Sequence, residues 1–136
     1  MQMEQPLSCQ RTVYETKSEA TLSDSFNLTL EEHSDYAIIR TEGYVNNLGG
    51  EKIGEAADQL IEQGVRKLIL NFEKSNVVNS IGISILIEVI EKIVDIEGQI
   101  AFCYLTKTIE KTFNIMGLTQ YAEIYTTEAE AVEKLA

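Results

Sequence analysis

Three small residues interrupt an apolar stretch in the middle of the chain. In residues 76–94, NVVNSIGISILIEVIEKIV, the residues Asn79, Ser80 and Gly82 stand where a strand gives way to a long helix. Ser80 is the expected N-cap of that helix, and a serine hydroxyl there can also carry a phosphate, because a helix N-terminus favours an anion. Gly82 costs about 1 kcal/mol inside a helix, so something is expected to approach the helix start closely. The stretch is a candidate site of modification and partner recognition.

The helix that follows has a narrow polar side and a broad apolar side. At about 100° per residue, one sector collects Ser84, Glu88, Glu91, Lys92 and Asp95. Ile81 falls inside this polar sector. Two alternatives are open for Ile81: local burial under the preceding loop, or exposure as an apolar contact for a partner. We favour the contact, which would place Ile81 and Ser84 beside Ser80.

The elements around this stretch predict one α/β domain over residues 25–136. Alternating apolar residues in FNLTLEEHSDYAIIRTEGYV predict a β-hairpin. Two buried strands and a last short strand then alternate with four helices, of which the first has amphipathic spacing. The order is β-β-α-β-α-β-α-β-α, which implies a mixed, mostly parallel sheet with a β-hairpin start. Thr127 and Glu130 predict a capping box on the last helix. Residues 1–24 are polar and are expected to form a flexible N-terminal tail without a core.

Composition limits the classes of partner. With 11 basic and 22 acidic residues the formal charge is −11, which disfavours nucleic acid and anionic membranes. No apolar run reaches the roughly 18 residues of a membrane span, and the N-terminal residues do not have the pattern of a signal peptide. Cys9 and Cys103 are widely separated, so we expect a reducing, cytoplasmic location. The acidic balance fits a basic protein partner or simple solubility.

An enzymatic site cannot be assembled from the sequence. His33 is the single histidine, and we expect it to be a solvated turn residue rather than a general base. One histidine and two distant cysteines offer no metal-ligand spacing. Gly49 and Gly54 have the outer spacing of a phosphate-binding loop, but Glu55 and Ala56 stand where Lys and Ser/Thr are required. We therefore expect no catalytic residues, no metal and no cofactor.

The element order and the stretch LILNFEKSNVVNSIGISILIEVI resemble the STAS domain of bacterial anti-sigma factor antagonists, as does the final GLTQYAEIYTTEAEAVEKL. In that family a strand ends in an acidic or amide residue, and a loop then carries Asp-Ser-Ser/Thr-Gly into a helix. The resemblance places Asn71 at the strand end, Ser80 at the phosphorylated serine and Gly82 at the motif glycine. Asn79 replaces the aspartate, and Ile81 replaces the small hydroxyl residue.

This resemblance implies a switch without enzymatic activity. The unphosphorylated chain would bind an anti-sigma factor that is also a serine kinase with a histidine-kinase-like ATPase fold. Phosphorylation of Ser80 would release that partner, and a phosphatase would reverse the modification. The expected partner-binding residues are Asn71, Asn79, Ser80, Ile81, Gly82 and Ser84. The alternative is a non-switching STAS scaffold or a transport-associated regulatory module, and a homodimer also stays open.

Overall fold

The computed structural model describes residues 26–135 in full and residues 13–17 at the level of the backbone. The strands are β1 (Val13–Lys17), β2 (Phe26–Glu32), β3 (Ala37–Gly43), β4 (Lys67–Lys74), β5 (Gln99–Cys103) and β6 (Glu123–Tyr125). The helices are α1 (Asn47–Glu62), α2 (Ser80–Asp95), α3 (Lys107–Ile115) and α4 (Glu128–Leu135). A short 3-10 helix, Leu118–Gln120, follows α3.

All six strands form one sheet whose spatial order follows the chain from β1 to β6. The pairs β1–β2 and β2–β3 are antiparallel, and every later pair is parallel. The parallel pairs are joined by helices, as such crossovers require. The predicted mixed sheet with a hairpin start and four helices is therefore confirmed.

Helices cover the two faces of the sheet unequally. The larger core packs α1, α2 and α3 on one face, where it includes Ile53, Leu86 and Phe113. A smaller core on the other face packs Ala131 and Leu135 of α4 against Ile69 and Cys103. Because both faces are covered, the central strand β4 is buried from Leu68 to Phe72, which explains why its sequence is apolar at every one of these positions except Asn71. A five-residue loop, residues 75–79, leads from the end of β4 to the start of α2.

The predicted boundary at the start of the domain is wrong for five residues. The strand β1 lies inside the segment predicted to be a flexible tail, and it pairs with β2 from Val13 opposite Glu31 to Lys17 opposite Asn27. An edge strand gains its hydrogen bonds from the neighbouring backbone, so it forms without an apolar periodicity that a sequence pattern can reveal. The remainder of the predicted tail lies outside the described residues.

The last helix begins with the predicted pairing of Thr127 and Glu130. The Thr127 hydroxyl accepts a hydrogen bond from the backbone N–H of Glu130 at 3.1 Å. The Glu130 carboxylate accepts from the N–H of Thr126 at 3.0 Å, one residue before the position that a capping box uses. Among the described helices, none is long and apolar enough to cross a membrane.

Candidate functional site

The N-cap of α2 is Asn79, not Ser80. The Asn79 side-chain oxygen accepts a hydrogen bond from the N–H of Gly82 at 2.8 Å, and Asn79 itself has extended backbone angles. Ser80 is consequently the first residue of the helix. Asparagine and serine are about equally good caps, so two adjacent candidates could not be ranked from sequence.

Because Asn79 caps α2, the Ser80 hydroxyl is not used as a cap. Ser80 is exposed, and within residues 26–135 its hydroxyl makes no hydrogen bond. The N–H groups of Ser80 and Ile81 belong to the first turn, which has no intrahelical acceptor for them. An anion on the Ser80 oxygen would therefore lie at the positive end of α2, close to unpaired donors.

The loop that presents Ser80 is held by the connection between β3 and α1. Val45 and Val78 form an isolated parallel bridge. The Val45 N–H donates to the Val77 carbonyl at 2.9 Å, and the Val45 carbonyl accepts from the Asn79 N–H at 3.1 Å. These bonds run on both sides of Val45, so they fix the loop backbone immediately before the exposed serine.

The same contact explains Gly82. A Cβ on Gly82 would lie 2.5 Å from the Val45 carbonyl oxygen, a distance at which backbone atoms overlap. The close approach predicted from the sequence is thus made by the chain's own β3–α1 connection. Gly82 is buried, and its role in the structure is to let that connection pack on the helix.

Ile81 is exposed to 51%, which excludes the alternative of burial under the preceding loop. It lies beside a groove of about 700 Å³ between the start of α2 and α3. Val77 and Met116 line the groove and are also largely exposed. Ser80, Ser84 and three threonines of α3 and its cap supply hydroxyl groups, and none of the lining residues is ionisable: Asn76, Val77, Val78, Asn79, Ser80, Ile83, Ser84, Thr106, Thr108, Ile109, Thr112 and Met116.

The three serines near the junction differ sharply in accessibility. Ser75 is fully buried, and its hydroxyl lies 2.7 Å from the hydroxyl of Thr41. Ser84 is exposed, but its hydroxyl donates to the Ser80 carbonyl at 3.1 Å. Only Ser80 combines exposure with a hydroxyl that has no partner in the described part of the chain.

Asn71 lies away from this surface. The strand β4 continues to Lys74, so Asn71 is not the strand's last residue, and its side chain is buried under α4. Its amide nitrogen donates to Glu128 at 2.8 Å, and its amide oxygen accepts from the backbone N–H of Glu73 at 2.8 Å. The predicted site residues Asn79, Ser80, Ile81, Gly82 and Ser84 lie together, whereas Asn71 belongs to another cluster.

That cluster fastens α4 to the sheet, and we call it the α4 clamp: Glu31, Arg40, Asn71 and Glu128. Arg40 donates to both Glu128 oxygens, from Nε at 2.8 Å and from Nη2 at 2.7 Å, and its Nη1 donates to Glu31 at 2.8 Å. Burial alone would raise the pKa of Glu128, but hydrogen bonds from Arg40 and Asn71 lower it below its ordinary value. The hydrogen bond from Arg40 to Glu128 likewise raises the pKa of Arg40. The clamp is a structural ion-pair network.

The other candidate reactive side chains that the structure describes, His33 and Cys103, are engaged or buried. His33 is half-buried rather than solvated: it stacks on Tyr36 with ring centroids 4.4 Å apart, and its Nε2 lies 2.6 Å from Glu31. Burial raises the pKa of the Cys103 thiol to about 12, so it is unreactive at neutral pH. Gly49 and Gly54 lie within α1 and form no loop. Within the described residues, no three His, Cys, Asp or Glu side chains converge as metal ligands.

The second wall of the groove has no motif that marks it in the sequence. This wall consists of α3 and its two caps, and the sequence predicts a helix here without any role in the site. It contributes Thr106, Thr108, Thr112 and Met116. The apolar character of Met116, directly before the helix-ending Gly117, is the one local sign that this end of α3 contributes an exposed contact.

Comparison with known proteins identifies several similar chains. Residues 27–131 match the family model described as "STAS domain". Over 90 residues the chain is 21% identical to "Putative anti-sigma factor antagonist BtrV" of Bordetella bronchiseptica, which covers 66% of this chain and 78% of BtrV. The phosphorylated form of the Bacillus cell fate determinant SpoIIAA superposes with a TM-score of 0.68 at 24% identity, covering 80% of this chain and 99% of SpoIIAA. An anti-sigma factor antagonist from Mycobacterium paratuberculosis gives a TM-score of 0.73 at 16% identity, with 85% and 98% covered.

Proposed function

Because the chain belongs to the STAS domain family, we propose that it is an anti-sigma factor antagonist that is switched by phosphorylation of Ser80. Its partner would be an anti-sigma factor with serine-kinase activity. The observation that carries this proposal is the free, exposed Ser80 hydroxyl at the N-terminus of α2, beside an uncharged groove. The similarity to named anti-sigma factor antagonists supports the same class of partner.

The unphosphorylated surface is suited to protein contact. Val77, Ile81 and Met116 are each about half exposed. Val77 and Met116 line the same groove as Ser80, and Ile81 is the next residue of α2. Apolar side chains at the centre of an interface supply most of its binding energy. Threonine and serine hydroxyls along the groove can satisfy polar groups of the partner. The proposed kinase would bind here and leave its sigma factor free.

Phosphorylation would act by placing a charge where none exists. The kinase transfers the γ-phosphoryl group of ATP to Ser80 Oγ, the hydroxyl proton leaves to a base, and ADP is released. The product carries about two negative charges, which the N-terminus of α2 tolerates without unfolding. Because no ionisable side chain lines the groove, burying this phosphate against the partner costs several kcal/mol of desolvation. Carboxylate repulsion, expected from the overall acidity, is the smaller effect.

The proposed function implies a reversible cycle of phosphorylation and dephosphorylation at Ser80. The phosphorylated chain would be released from the kinase, and a phosphatase acting on the exposed phosphoserine would restore binding. Neither Asn79 nor Gly82 needs to contact the partner, because the first caps α2 and the second packs on Val45. Their part in the switch is to hold Ser80 in position.

The test is to map the modification. The chain is incubated with the serine kinase that binds it and with ATP, and the phosphate is located by fragmentation mass spectrometry. Ser80→Ala should abolish incorporation and retain kinase binding, and Ser80→Asp should stay folded and bind poorly. Ser84→Ala is the matched control and should be phosphorylated normally.

Two outcomes would contradict the proposal. Phosphate on Ser84 in the unaltered chain would move the switch to another residue. Tight binding to an active kinase without any phosphate transfer would instead favour the non-switching scaffold.

A further inference from the structure

A second cleft lies at the opposite end of α2, between its C-terminal half and the 3-10 helix. Its volume is about 240 Å³, and it is lined by Ile87, Ile90, Glu91, Val94, Asp95, Leu118 and Tyr121. The positions on α2 follow the i, i+3, i+4, i+7, i+8 spacing of one helix face. At 1.5 Å per residue, Val94 is about 21 Å from Ser80 along the helix axis. This cleft is therefore separate from the Ser80 groove.

The walls of the cleft are apolar and open to solvent. Ile90 and Leu118 form a buried floor, whereas Tyr121 is 57% exposed and Val94 is 39% exposed. An exposed tyrosine next to an exposed aliphatic side chain is the composition that interface centres favour. The volume is below the roughly 300 to 1,000 Å³ of small-molecule pockets. It has room for one or two apolar side chains of another protein.

The rim of the cleft carries two carboxylates near the C-terminal end of α2, where negative charge is unfavourable. Glu91 and Asp95 are both exposed and one turn apart, so they repel each other. They also lie toward the C-terminal end of α2, where the helix dipole disfavours negative charge. In residues 26–135 neither carboxylate has an ion-pair partner, and Lys92 is engaged with Asp58 of α1 at 2.6 Å. A bound cationic group would relieve both unfavourable interactions.

From this combination we infer that the cleft is a second interaction surface, for a protein segment whose apolar side chains are flanked by arginine or lysine. The acidic rim excludes nucleic acid and anionic membranes as occupants, because both would be repelled. Because the walls of the cleft are apolar, the occupant must also offer apolar side chains and not a charged group alone. This surface goes beyond the proposed function, since its use does not depend on Ser80.

The test is an NMR titration of the full ¹⁵N-labelled chain with two synthetic amphipathic peptides. Both peptides carry leucines on one helical face, and they differ in having arginine or glutamate at the flanking positions. The arginine peptide should shift the amide resonances of Val94 and Tyr121, and the glutamate peptide should not. High salt should weaken the binding, as expected for exposed charges.

Variants separate this cleft from general attraction to an acidic protein. Glu91→Lys with Asp95→Lys should weaken binding of the arginine peptide at least about tenfold, and Tyr121→Ser should weaken it as well. Glu88→Lys, a single charge reversal on an exposed position of α2 outside the cleft, makes half of that charge change and should leave the affinity within about twofold. Ser80→Asp should have no effect, which keeps this result independent of the switch.

Three results would overturn the inference. They are a dissociation constant weaker than about 1 mM, equal binding of the two peptides, and resonance shifts that map to the Ser80 groove. Survival of binding in Tyr121→Ser would also count against it, because it would leave only charge attraction.

Discussion

At the scale of single residues, Gly82 and Ile81 have opposite roles although they are neighbours. Gly82 is buried against the Val45 carbonyl, and Ile81 projects into solvent. One is required by the fold, and the other is available to a partner. Substitutions at the two positions should therefore separate stability from binding.

Gly82→Ala should destabilise the domain by about 1–3 kcal/mol, because the added methyl group overlaps a backbone oxygen that cannot move alone. The matched control is Gly54→Ala in α1, where a Cβ would meet Ile85 at an ordinary 3.4 Å. That substitution should be neutral or stabilise by up to about 1 kcal/mol through helix propensity. Urea unfolding measures both. Equal stability of the two variants would show that the Val45 contact yields without cost.

Ile81→Ser should weaken kinase binding at least about tenfold, as expected for an interface contact worth more than about 1 kcal/mol. Its free energy of unfolding should change by no more than about 0.5 kcal/mol, because the side chain is half exposed. Val94→Ser, on the same helix but outside the Ser80 groove, is the control and should bind the kinase normally. Calorimetric titration and thermal unfolding make the comparison. A large loss of stability in Ile81→Ser would show packing that its exposure does not reveal.

At the scale of elements, α4 depends on the α4 clamp as well as on its small core. Its first residue, Glu128, receives hydrogen bonds from β3 and from β4. The clamp thereby joins three elements at one carboxylate. The folded-state pKa of Glu128 is lower than its ordinary value of 4.5, so the ionised form stabilises the fold.

The sign of this linkage gives a pH dependence. A carboxylate with a lowered folded pKa contributes its full stabilisation above the ordinary value of 4.5, and that contribution is lost as the pH falls through the folded pKa. Glu128→Gln should lower stability at neutral pH by about 1–3 kcal/mol and flatten the acid limb of the stability curve. The control is Glu133→Gln, an exposed position on the same helix. Denaturant unfolding between pH 7 and acid checks both, and an unchanged acid limb in Glu128→Gln would assign the acid sensitivity elsewhere.

Local signals account for what the sequence could predict at this scale. The helices α1 and α3 end near Gly64 and Gly117, which have positive φ values of 98° and 75° that glycine tolerates. The alternation of Phe26, Leu28 and Leu30 with polar residues predicts the hairpin. The α4 clamp could not be predicted, because Asn71 and Glu128 are 57 positions apart and neither carries a local pattern. The groove was missed for the same reason, since its two walls come from α2 and α3.

At the scale of the whole molecule, the sheet extends one strand beyond the predicted domain. Deletion of residues 1–24 removes β1 and leaves one edge of β2 unpaired over the five positions that β1 covers, whereas the other edge stays paired with β3. A flexible tail without a core would be dispensable for stability. With β1 paired to β2, we expect the deletion to lower the melting temperature, by several degrees if about 1–2 kcal/mol is lost.

Comparison with a deletion of residues 1–12 isolates the strand, because that variant keeps β1. Differential scanning calorimetry of the two truncations measures the difference. If both melt at the temperature of the intact chain, β1 contributes nothing to stability, and the domain effectively begins at β2.

The Ser80 groove is completed by α3, which comes later in the chain than the Ser80 loop. This order has a consequence for protein synthesis. Ser80 leaves the ribosome well before Thr106 and Met116, which complete the groove. A fragment from premature termination would carry the whole serine motif without the groove's second wall. Under the proposed function such fragments could not compete for the anti-sigma factor. Only full-length copies of the antagonist would then bind it.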